Sequence, residues 1–136
     1  MCIRDSPGIG LYGGLPFAAA EPVVSLSLPV IQTREVKPGE TVGYGATWQA
    51  AKTTTVATLA AGYADGIIRA AGNISAGTSA QVLLYAGNVA CPMIGRISMD
   101  MLTVDITALE QLPTELELLN NLQLSLIHIS EPTRPY

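Results

Sequence analysis

Between residues 23 and 119 the apolar side chains come in short runs, several with a period of two, cut by glycine and proline, and this restricts the chain to a mainly β fold. Val24, Leu26, Leu28 and Val30 alternate with Ser25, Ser27 and Pro29, which puts every second side chain on one face of a strand. Pro29 cannot donate to a ladder, so it belongs at an edge or at a bulge. The run continues over residues 31–36 into Lys37-Pro38-Gly39-Glu40, where proline fixes φ and glycine tolerates positive φ; a turn is predicted there. Residues 41–45 return, and the β-branched, apolar stretch 53–62 reads as a further strand. Residues 81–85 and 89–94 flank Ala86-Gly87-Asn88, which predicts a hairpin. Residues 99–106 predict another strand, 116–119 the start of one more, and 72–79 a small polar loop. No repeat at a solenoid period occurs. The expectation is an antiparallel β-barrel or sandwich-like domain.

Composition narrows the function classes. A chain of 136 residues has room for one domain with one core. Apolar residues make up 49% of it and charged residues 13%, too little charge for a disordered chain. A net charge of -4 offers no electrostatic footprint for nucleic acid or an anionic membrane. No apolar run approaches the roughly 18 residues of a spanning helix, and the start has no continuous apolar leader. Cys2 and Cys91 form neither a metal-ligand spacing nor a disulfide framework. A reducing cytoplasm and no metal site are expected.

The two ends are related through the genetic code. Leu124-Ser125-Leu126-Ile127-His128-Ile129 can be encoded by CTG TCT CTT ATA CAC ATC. The reverse complement of its first part, ATG TGT ATA AGA GAC AG, encodes Met1-Cys2-Ile3-Arg4-Asp5 and begins a serine codon for Ser6. Residues 1–6 and 124–136 therefore resemble a transposase-type library adaptor read in frame, and such segments are set aside from fold reasoning. They are expected to pack little against the domain. His128, the single histidine, lies in one of them, so no histidine triad or histidine metal site is expected in the rest. The informative region is then 7–123, with 7–22 as the glycine-dense remnant of a preceding unit and a linker, and 23–123 as the β-domain.

Three segments place polar or aromatic side chains among glycines at strand ends, where loops on a rigid scaffold carry function. They are Gly43-Tyr44-Gly45-Ala46-Thr47-Trp48, Gly62-Tyr63-Ala64-Asp65-Gly66 and Gly95-Arg96-Ile97-Ser98-Met99-Asp100. Each has a bland reading. Ala64-Asp65-Gly66 suffices as a tight turn with Tyr63 packed beside it, Arg96 and Asp100 as a buried ion pair that fixes the sheet, and Trp48 as a core or interface anchor.

In order and spacing, and following Pro7-Gly8-Ile9-Gly10-Leu11-Tyr12-Gly13, the segments together resemble the carboxy-terminal part of alanine racemases, from Pro7 to about Asn120. The resemblance implies an amino-terminal (β/α)8 barrel that holds pyridoxal 5'-phosphate on a lysine, followed by this β-domain. It implies a homodimer packed head to tail, in which one β-domain completes the partner's site. Tyr63 matches the catalytic tyrosine, the acid/base on one face of the substrate. Met99 matches a substrate-binding position whose backbone helps hold the carboxylate. Arg96 and Asp100 match positions near the entryway. Gly8 and Ile9 match backbone donors to the cofactor phosphate, where glycine permits close approach of the anion.

Ser6 departs from the family pattern, which has arginine before Pro7; an adaptor supplying the first two bases of that codon accounts for the serine. The cofactor lysine, the barrel arginine for the substrate carboxylate and a late phosphate-binding tyrosine have no counterpart here. The implied activity is interconversion of L- and D-alanine, supplying D-alanine for peptidoglycan. Inversion needs a proton removed from one face of the α-carbon and another delivered to the opposite face, by the barrel lysine and the tyrosine matching Tyr63. An ordinary tyrosine holds its proton to about pH 10, so positive charge or hydrogen bonds must favour its phenolate. Arg96 is a candidate for that by resemblance alone. The chain by itself is expected to be inactive, since Lys37 and Lys52 are its lysines and neither lies in a cofactor-lysine motif. Two other readings stay open: a related pyridoxal-phosphate racemase acting on serine, lysine or a broad range, and a non-catalytic β-barrel interaction module.

Overall fold

The computed structural model describes residues 21–72 and 82–120. Among these, β1 (Leu26–Val36), β4 (Thr54–Leu59), β5 (Leu83–Ala86), β6 (Val89–Ile94), β7 (Leu102–Asp105) and β8 (Glu115–Leu119) close into one barrel, in the order β1-β4-β7-β6-β5-β8. Two short strands, β2 (Thr41–Val42) and β3 (Trp48–Gln49), form a separate pair. All pairings are antiparallel. The expected mainly β, antiparallel architecture is therefore found, and of the two forms anticipated it is the barrel.

Closure rests on β1, whose first half pairs with β8 (Leu28↔Leu116) and whose second half pairs with β4 (Thr33↔Ala57). The register slips between Val30 and Gln32, directly after Pro29, so the proline marks a bulge and not an edge. The carbonyl of Pro29 still accepts from Ala60 N–H at 3.1 Å. The hairpin expected at residues 86–88 is present: β5 ends at Ala86, β6 begins at Val89, and Gly87 between them has φ 60°.

Alternation sorts the side chains into two apolar clusters. Ala57 and Leu59 of β4, Cys91 and Met93 of β6, Leu102 and Val104 of β7, and Leu116 and Leu118 of β8 fill the interior. Val56 and Ile94 sit one residue out of phase and face the other way, where they join Val36, Val42 and Ala50, with Trp48 packed against them. The β2–β3 pair thus covers the outer face of the barrel at β4 and β6. This is why no residue of β4 is exposed, although three of its six are threonines, and why Trp48 is a packing anchor. Several expected strand ends are trimmed. The alternation at Val24 lies outside β1, residues 60–62 leave β4, and the 99–106 strand starts at Leu102 because residues 98–101 close a turn.

Candidate functional site

Where β4 runs out, Gly62 leads into a single 3-10 turn, Tyr63–Asp65. The Asp65 side chain accepts a hydrogen bond from Gly62 N–H at 2.9 Å, and Gly66 ends the turn with φ 94°. Asp65 therefore serves the turn, as its bland reading held. Next to it, residues 98–101 are folded by Ser98. Its N–H donates to the Met101 carbonyl at 2.9 Å, and its hydroxyl both donates to that carbonyl and accepts from Met101 N–H, at 2.9 and 3.0 Å.

Two backbone bonds join these turns: Tyr63 N–H to the Ser98 carbonyl at 3.1 Å and Ala64 N–H to the Met99 carbonyl at 3.0 Å. The approach is so close that a Cβ on Gly62 would overlap the Met99 carbonyl and the Asp100 nitrogen. Tyr63 and Met99 are thereby brought together, and both are exposed, at 40% and 53%. Arg69 adds its guanidinium over the Tyr63 ring, 5.4 Å from the centroid.

The third segment reaches the same loop. Gly43 and Gly95, both at positive φ, press backbone against backbone, so a Cβ on Gly43 would meet Arg96 N at 2.8 Å. The Arg96 guanidinium lies near Gly45, and Tyr44 stands exposed. Arg96 and Asp100 are both exposed, so they do not form the buried ion pair considered from the sequence. The expected phosphate donors Gly8 and Ile9, and both adaptor-like ends, lie outside the described residues.

Chemically, this end of the barrel presents a phenol, a thioether on a hydrogen-bonded turn, two guanidinium groups and a carboxylate on a rigid frame. Among the described residues no cluster of metal-ligating side chains occurs, and no helix is long and apolar enough to cross a membrane. Arg69 and Ser98 were not singled out from the sequence. An arginine six residues after a tyrosine would share a strand face with it but lie about 20 Å away, so sequence spacing gives no sign that the irregular turn between them brings the two together. Ser98 lay inside a noted segment, but a serine clamp on a turn has no marker there beyond the residue type.

Comparisons with known proteins converge. The family described as alanine racemase, C-terminal domain, matches residues 23–132. An alanine racemase of Dinoroseobacter shibae is 58% identical over 113 residues, covering 83% of this chain and 30% of that protein. The crystal structure of the biosynthetic alanine racemase from Pseudomonas aeruginosa superposes with a TM-score of 0.71 at 37% identity, covering 85% of this chain and 33% of that one. That of the alanine racemase from Bartonella henselae with covalently bound pyridoxal phosphate gives 0.70 at 32% identity, over 83% of this chain and 32% of that one. The chain thus spans about 30% of the length of the curated relatives it matches.

Proposed function

The chain belongs to the family of alanine racemase C-terminal domains, and from that premise we propose that it is the β-domain part of a pyridoxal-phosphate-dependent racemase interconverting L- and D-alanine. In this reading Tyr63 is the acid/base on one face of the substrate α-carbon. The backbone at Met99 helps hold the substrate carboxylate, and Arg96 and Asp100 line the entryway. Gly8 and Ile9 donate to the cofactor phosphate. The enzyme is a homodimer in the cytoplasm that supplies D-alanine for peptidoglycan, and this chain contributes its tyrosine to the partner subunit's site.

The observation that carries the reading is the double backbone bond that sets Tyr63 beside Met99. A proton-transfer group must lie within hydrogen-bond reach of the atom it serves, and a residue that orients the same small substrate must sit next to it. Tyr63 is held at its backbone while its ring is exposed, as a group must be whose reaction partner comes from another domain. The exposed apolar side chains at this end, Tyr44, Ile68, Met99 and Met101, are suited to being covered in an assembly.

The described residues do not supply the cofactor's amine at this end. Lys37 and Lys52 flank the Val36↔Thr54 pair, at the start of β4, whereas Tyr63 follows its other end, about 17–20 Å away at strand rise. They do not fit a covalently held pyridoxal phosphate beside Tyr63. The chemistry assigned to this chain is therefore limited to its own groups: a phenol that moves one proton and a turn that orients a carboxylate.

The test is a chimera in which residues 23–120 replace the matching third of the Dinoroseobacter shibae relative. Racemisation is expected in the chimera, with Tyr63→Phe lowering it by two orders of magnitude or more, within the about 10²–10⁴-fold range of general acid/base groups, while the cofactor stays bound. The 136-residue chain mixed with pyridoxal phosphate should exchange the alanine α-hydrogen no faster than free cofactor. An unimpaired Tyr63→Phe chimera would refute the role of the tyrosine.

A further inference from the structure

The backbone bonds at Tyr63 and Ala64 fix where the Tyr63 Cα sits, but they leave the ring free to turn about two bonds. The ring is 40% exposed, so the barrel core does not lock it. One contact does bear on it: the Arg69 guanidinium, with Cζ 5.4 Å from the ring centroid.

The backbone between the two residues explains the contact. Tyr63 opens one 3-10 turn and Arg69 opens the next, Arg69–Gly72. Between them Ile67 is buried in the barrel core, and its N–H returns to the Gly62 carbonyl at 3.2 Å. Beyond Arg69, Gly72 is pressed against Ile97 so closely that no side chain would fit. Arg69 is thus carried between two anchors, and its long side chain lies back along the surface over the ring.

We propose that Arg69 is the positioning residue for Tyr63: its guanidinium, laid on the ring face, holds the phenol at the angle from which its hydroxyl meets the substrate. The inference rests on the acid/base role proposed for Tyr63. A cation within about 6 Å of a ring centroid is drawn to the negative face of the π system. The planar guanidinium stacks there in a way that a lysine ammonium does not. Orientation of a reacting group acts on the rate of the bound complex, so the effect belongs to kcat and not to KM.

Two measurements test it. In the 136-residue chain, the Arg69 δ-methylene protons are expected upfield of their random-coil position in NMR spectra, because they lie in the ring current of Tyr63. That displacement should persist in Tyr63→Phe and vanish in Tyr63→Leu. In the chimera, Arg69→Met should lower kcat about two- to fivefold if the contact stays solvated and up to about thirtyfold if the partner subunit encloses it. KM and cofactor occupancy should hold, and Arg69→Lys should recover part of the loss. Random-coil Arg69 resonances, an unchanged kcat in Arg69→Met, or a loss confined to KM overturns the proposal. An inactive Tyr63→Phe beside an unimpaired Arg69→Met overturns the positioning role alone, whereas a fully active Tyr63→Phe overturns the reading of Tyr63 on which it rests. Should Arg69→Met fail to fold, Arg69→Lys and the spectrum of the unaltered chain decide.

Discussion

Alanine at position 62 would drive apart the two turns that carry the candidate site. A Cβ there overlaps the carbonyl carbon and oxygen of Met99 and the nitrogen of Asp100. All three are backbone atoms of a turn clamped by Ser98, so no side chain can swing aside to relieve the overlap. The turns must separate by on the order of 1 Å, since non-bonded heavy atoms rest at about 3.5–4.0 Å. Overpacking of this kind costs about 1–3 kcal/mol. Stretching the Tyr63–Ser98 and Ala64–Met99 hydrogen bonds forfeits about 0.5–1.5 kcal/mol each, for a total of about 2–6 kcal/mol. In a domain of this size that lowers the thermal midpoint by about 10 °C or more. Gly62 has φ -143°, an extended value open to any residue, so the collision is the whole effect. Gly66 supplies the control: its φ is 94° with nothing within 4 Å of a built Cβ, and Gly66→Ala should cost only the about 1–2 kcal/mol of a left-handed backbone. Urea and thermal unfolding of both variants measure the difference. A Gly62→Ala variant no less stable than Gly66→Ala would refute the claim that close backbone approach requires glycine there.

Two further outcomes concern the barrel. Leu102, 1% exposed and paired with Leu59, lies in the interior, so Leu102→Ala should cost about 2–5 kcal/mol; a shift in urea midpoint worth less than about 1 kcal/mol would contradict that burial. Burial, and then the charge of Asp105, push the Cys91 thiol above its ordinary value. The folded state keeps this proton at higher pH than the unfolded chain, so the associated stability is complete below the unfolded value of about 8.5 and is lost as pH rises from there through the folded value. Unfolding free energy should decline above about pH 8.5, with a shallower decline in Cys91→Ala; equal slopes would refute the assignment.

Much of this architecture is legible in the sequence because its strands are bounded by local chemistry. Gly87 marks the β5–β6 hairpin, Pro38-Gly39 marks the exit from β1, and Pro29 marks the bulge. Strand ends are harder to place: the apolar Met99 and Met101 run on into Leu102 in the sequence, and the Ser98 clamp takes residues 98–101 out of the ladder. The second apolar cluster was not legible, because Val56 and Ile94 show as apolar residues without revealing that a separate strand pair covers them. The three glycine-flanked segments of the candidate site stand out in the sequence as turns, and the structure brings them into contact with one another. What joins them is not local: Gly62 meets Met99 across the barrel end, and Arg69 meets Tyr63 through an irregular turn of no fixed period.

Barrel closure by the two halves of β1 also has a consequence in time. The ladder that completes the ring pairs Leu26 with Leu119, so it cannot form until nearly the whole domain has been synthesised. At about 5–20 residues per second, β1 waits on the order of ten seconds for its partner. Throughout that interval the first half of β1 and the outer side of β5 are unpaired edges, templates for whatever strand arrives first. The nascent chain is thus most vulnerable to mispairing just before its final strand emerges, and the charges at Glu115 and Glu117 on that strand bias it against pairing with copies of itself.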